Sequence, residues 1–98
     1  MKESRNSRNV DLIRSHPIED IIRRLYDNII LSLPEEPCIQ SIHALTVLET
    51  MAQAGLERIL SEDALCRPAD EWVPALSKVE QIRDDTHDMI ADLKNILY

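Results

Sequence analysis

Residues 38–66 read CIQSIHALTVLETMAQAGLERILSEDALC, and this stretch decides the fold. Ile42, Leu45, Leu48, Ala52, Leu56 and Ile59 recur at steps of three and four, which is one face of an α-helix and not the alternation of a strand. Val47, Met51 and Leu60 flank that stripe, so the helix is apolar on two sides and is expected to meet more than one neighbour. The stretch also holds Gly55, the single glycine among 98 residues. Inside a helix a glycine costs roughly 0.5–1 kcal/mol against alanine. Its place beside Ala52 and Ala54 predicts a close crossing by another helix at Ala52, Ala54 and Gly55. With no glycine elsewhere, phosphate-cradling loops, dinucleotide turns and glycine-marked hairpins are excluded.

Pro34 and Pro37 bracket a short link before this helix, and Pro37 suits a first helical residue. Upstream, Ile18, Ile21, Ile22, Leu25 and Ile29 mark the buried face of a shorter helix over 16–33, opened by Ser15 or His16. Glu19 and Asp20 suit its first turn, and the i,i+4 pairs Glu19–Arg23 and Asp20–Arg24 support it by roughly 0.2–0.5 kcal/mol each. Downstream, Pro68 closes the long helix, 67–73 reads as a connector, and Pro74 is expected to start a third helix over 74–97. Val79, Ile82, Thr86, Met89, Leu93 and Ile96 form a heptad-like seam along it, widened by Leu76, Ile90 and Leu97.

Phenylalanine is absent and Tyr26, Trp72 and Tyr98 are the aromatics, so the core is aliphatic. The expected fold is all-α, an antiparallel hairpin of two long helices (38–66 and 74–97) plus the shorter N-terminal one. This three-helix unit leaves apolar surface uncovered and is expected to dimerise into a larger bundle. Residues 15–98 make one helical domain, preceded by a flexible basic arm over 1–14.

Charge separates those two parts. The arm carries Lys2, Arg5, Arg8 and Arg14 against Glu3 and Asp11, while the rest holds seven bases and sixteen acids, a net −9 within a total of −7. An acidic body repels nucleic acid and anionic lipid, so basic proteins are the favoured partners. No apolar run is long enough to span a membrane and no signal core opens the chain, so a cytoplasmic location is expected. Cys38 and Cys66 stand near opposite ends of one helix, about 42 Å apart at 1.5 Å per residue, so only an intermolecular bridge could join them. They read as reduced thiols.

Chemistry is sparse. Glu80, Asp84, Asp88 and Asp92 fall at successive i,i+4 positions with Asp85 beside them, an acidic ladder roughly 150° from the seam. It reads as a solvated face or as a docking strip for a basic segment. Asp84 and His87 have the i,i+3 spacing of carboxylate-bridged metal bundles, but the ladder points outward and no inward counterpart exists, so no metal and no cofactor is expected. Neither the serines nor the cysteines stand in a nucleophile motif. Trp72 is expected to plug the end of the hairpin or, exposed, to anchor a protein partner. The function read from these features is a homodimeric interaction or regulatory module docking a basic partner. Two alternatives stay open: a small enzyme or ligand binder with a site between helices, and a nucleic-acid accessory protein using the arm.

Overall fold

The computed structural model describes residues 16–98, and the basic arm expected over 1–14 lies outside them. Three helices fill that span. Helix α1 is Pro17–Ser32, α2 is Ile39–Arg58, and α3 is Ala69–Leu97. A π-helical turn, Ile59–Asp63, and a last turn, Ala64–Cys66, prolong α2. No strand occurs among the described residues.

His16 caps α1 in an extended conformation, its Nδ1 accepting the Ile18 N–H at 3.1 Å. Pro17 at the first helical position gives up only an N–H that would have lacked a partner. Arg23 and Arg24 reach Glu19 and Asp20 at 3.2 Å each. Glu19 is nevertheless buried and also faces Lys78 of α3 at 3.9 Å, so this carboxylate joins two helices besides favouring the α1 dipole. Leu33 turns out of the helix at ψ 135°, as the residue before a proline must. One expected core residue is displaced: Ile21 is 59% exposed, while its neighbour Ile22, about 100° round the helix, takes the buried position.

All six stripe residues of α2, from Ile42 to Ile59, are buried, and Leu45, Leu48, Ala52 and Ile59 are completely so. Pro37 is not the first helical residue. Cys38 is the N-cap, extended at φ −152°, and its carbonyl accepts the Ser41 N–H at 3.1 Å. Past Gly55 the ladder first tightens and then widens. The Ile59 N–H is shared between the Gly55 and Leu56 carbonyls, and the Ala64 N–H reaches the Ile59 carbonyl five residues back. Such a turn accommodates one more residue than an α-turn, which rotates the helix face beyond it by about 100°.

The start of α3 corrects the expected boundary. The helix begins at Ala69, so the connector shrinks to Arg67 and Pro68, and Pro74 lies inside the helix. Asp70 and Glu71 favour the first turn, and Trp72, Leu76 and Val79 already continue the apolar spacing back across Pro74. The proline removes one bond, to the Asp70 carbonyl, near an end where few bonds are at stake.

The buried face of α3 is Ala75, Val79, Ile82, Thr86 and Ile90. The heptad reading therefore fails at the C-terminal end, where Ile96 is 65% exposed. A straight α-helix drifts about 20° per heptad against a 3.5 repeat, so the seam passes from Met89 to Ile90 and leaves Ile96 outside. Thr86 is the one polar side chain completely buried among the described residues, and its hydroxyl donates to the Ile82 carbonyl at 2.6 Å. No described helix is long and apolar enough to cross a membrane.

Candidate functional site

The acidic ladder occupies the side of α3 away from its buried residues. Glu80, Asp84, Asp88 and Asp92 are exposed, and Asp85 is half-buried. Arg83 grips Asp84 through Nη2 at 3.0 Å and Nε at 3.1 Å, and Gln81 donates to Asp85 at 2.9 Å. Glu80, Asp88 and Asp92 have no cation within ion-pair distance among the described residues.

His87 leaves Asp84 alone. Its Nδ1 bonds Glu49 of α2 at 2.7 Å, and four residues earlier Arg83 donates to Gln53 at 3.0 Å. A step of four up α2 is thus matched by a step of four down α3. The spacing Asp84–His87 is spent on an inter-helix bond, and no cluster of three metal-ligating side chains occurs among the described residues.

Two shallow hollows border α2. One, about 340 Å³, lies where the end of α1 meets the start of α2 and is lined by Asn28, Ser32, Gln40 and Ser41 among apolar groups. The other, about 380 Å³, is lined by Glu49, Thr50, Gln53, Ala54, Glu57 and Arg83. Neither joins a nucleophile to a base. No family model, curated protein or solved structure matches this chain.

The small-residue patch divides. A side chain added at Gly55 would place its Cβ 3.0 Å from Ile18 Cγ2 and 3.6 Å from Ile22 Cγ1, so α1 lies directly on the glycine. Ala52 is buried, whereas Ala54 is exposed and borders the second hollow. Ala54 is therefore not part of the α1 contact. It stands one residue, about 100°, round from Gly55.

Trp72 sits within α3 and not in a connector. It is half-buried against the core, and its Nε1–H donates to the Arg67 carbonyl at 3.2 Å. The indole so ties the start of α3 to the end of the preceding helix, using its one polar atom.

A further polar pair joins residues 47 apart, a separation that no sequence spacing announces. His16 Nε2 hydrogen-bonds Asp63, the last residue of the π turn, and both side chains are nearly out of solvent. Because Nδ1 accepts from Ile18, the hydrogen must sit on Nε2 and be donated to the carboxylate. Arg67 stands 3.7 Å from the other Asp63 oxygen. A histidine–aspartate pair supplies two of the three members of a nucleophilic triad. Here Ser61, the nearby hydroxyl in sequence, is exposed and donates to the Arg58 carbonyl, so the pair acts as a clamp between α1 and α2.

Cys66 is exposed and Cys38 half-buried, and both are free thiols. The Ser41 hydroxyl, 3.3 Å from Cys38 Sγ, holds that thiol pKa below its ordinary 9.0, helped by the Ser41 and Gln40 backbone N–H groups and opposed in part by burial. Ser41→Ala is expected to move the pH midpoint of Cys38 alkylation upward. The rate of iodoacetamide labelling against pH, in a Cys66→Ser background, measures this. An unmoved midpoint removes Ser41 as the cause.

Proposed function

We propose that this chain is a helical interaction module that pairs with a second copy of itself and docks a basic protein segment on the outer face of α3. The observation that carries the docking is the ladder itself. Four exposed carboxylates stand at successive turns over about 18 Å, and Asp84 alone has a described cation beside it. Like charges at i,i+4 cost roughly 0.2–0.5 kcal/mol per pair. A basic segment laid along the helix relieves that repulsion and is steered to it over a Debye length of about 8 Å at physiological salt. Exposed ion pairs are individually weak, so specificity comes from the spacing of several.

The same reading takes α2 and α3 as an antiparallel hairpin, supported by the opposed order of the Glu49–His87 and Gln53–Arg83 bonds. It takes the molecule as a dimer, supported by exposed Val47 and Met51 on the second apolar side of α2.

The partner is tested by affinity capture with the full chain at two salt concentrations. A basic protein is expected, released by added salt. Asp84→Asn with Asp88→Asn is expected to weaken it about tenfold, equivalent to roughly 1.4 kcal/mol. A captured set that neither salt nor this double substitution alters overturns the docking face.

A further inference from the structure

The flank of α2 has a pattern of its own. Gln40, Ala44, Val47, Met51, Ala54 and Arg58 succeed one another at steps of four, three, four, three and four, an unbroken heptad seam distinct from the buried stripe. Val47 is 57% and Met51 44% exposed, Ala54 is exposed, and Ala44 is half-buried. The seam runs about 27 Å, nearly the length of α2, between the two hollows. None of these side chains hydrogen-bonds α1 or α3 among the described residues.

Three features choose the occupant. First, the seam is palindromic in size: small, large, large, small from Ala44 to Ala54. A two-fold interface must complement itself, and with the two helices running in opposite directions this palindrome sets small against small and large against large. Val47 then meets the partner copy's Met51, and Ala44 meets its Ala54, which lets the backbones approach at both ends. Second, polar side chains find partners in that register. His43, Thr50 and Glu57 line one edge of the seam, so Thr50 faces its own copy across the axis while His43 faces the opposite Glu57. At the ends, the Arg58 guanidinium meets the Gln40 amide. Third, the apolar surface continues onto α1. Ile21 lies seven residues before Asn28, on the stripe of α1 that borders Gln40 and Ala44, and it is 59% exposed.

We infer that a second copy of this chain docks on the Gln40–Arg58 flank of α2, antiparallel, with its two-fold axis between Val47 and Met51. This specifies the self-association in the preceding reading and rests on it. It also leaves the two α3 ladders outside the contact, free for a partner on each side of the dimer.

Cysteine crosslinking on the full chain, with Cys38→Ser and Cys66→Ser, tests the register. Thr50→Cys is expected to give a covalent dimer with a short bis-maleimide. Glu57→Cys is not, because its two copies lie about 24 Å apart along the helix direction. Val47→Glu with Met51→Glu, both at exposed positions, is expected to give monomer with unchanged circular dichroism. A native chain that sediments as monomer at tens of micromolar overturns self-association and this inference together. A native dimer that the glutamates leave intact overturns the seam alone. Equal crosslinking at 50 and 57, or none at 50, overturns the antiparallel register while leaving the dimer standing.

Discussion

Replacing Gly55 with leucine is expected to lower the melting temperature by roughly 12–24 °C, a loss on the order of 3 kcal/mol at 4–8 °C each for a domain this size. Such a loss is a large share of the total stability of a domain of this length. The reason is local. Even a single Cβ at this position stands 3.0 Å from Ile18 Cγ2, and a leucine adds three more carbons toward Ile22. Ile18 is β-branched and stiff at χ1, so it cannot fold aside cheaply. The helix must instead lift, which exposes Ile22 and separates His16 from Asp63.

Gly55→Ala separates packing from backbone propensity. Alanine gains about 1 kcal/mol of helix propensity and loses a comparable amount to the Ile18 contact, so the net change is small. In an Ile18→Ala background the added methyl meets Ile22 at ordinary distances of 3.6 and 3.8 Å, and the same substitution is expected to stabilise. Chemical denaturation of the four chains reads the difference. Identical effects of Gly55→Ala in both backgrounds, or an unmoved melting temperature for leucine, show that α1 does not press on the glycine.

The second large effect belongs to the clamp. Asp63→Ala leaves the His16 Nε2–H buried without an acceptor, which costs about 1–3 kcal/mol. His16→Ala removes the α1 cap as well, itself worth about 0.5–2 kcal/mol, and leaves Asp63 with Arg67 at 3.7 Å. Asp63→Asn keeps an acceptor oxygen and is expected to fall between wild type and Asp63→Ala. The double substitution His16→Ala with Asp63→Ala is expected to cost less than the sum of the singles, by about 1 kcal/mol or more, as for any bonded pair. Nitrogen NMR of the imidazole provides an independent reading, with the hydrogen on Nε2. Additive single effects, or a hydrogen on Nδ1, dismiss the clamp.

What could be read from the sequence was what a single helix dictates for itself. The stripe from Ile42 to Ile59 depends only on spacing, and every member is buried. The outward ladder of α3 was legible for the same reason. Where a local signal has two meanings, packing decides between them. Pro74 can start a helix or sit in its second turn, and the acids at 70 and 71 with Trp72 favoured the latter. Ile21 and Ile22 are equally apolar, and only the position of α2 chooses between them. Beyond single helices the sequence was silent. The bonds of His16 to Asp63, Glu49 to His87 and Arg83 to Gln53 cross 47, 38 and 30 residues, and nothing in their spacing announces them. Glu19 reads as a first-turn acid paired with Arg23, and no local spacing brings Lys78 of α3 to it.

The wide turn at Ile59–Asp63 also bears on how such a chain can change its length. A helix that has absorbed one surplus residue can release it without losing any flanking secondary structure. In a relative one residue shorter here, regular α-helix runs from Gly55 onward, and the position of Asp63 rotates away from the start of α1. The surplus residue, His16 and Asp63 are therefore linked through one geometry. Removing the surplus residue is expected to cost the His16–Asp63 bond, and a serine, threonine or asparagine at position 16 could still cap α1.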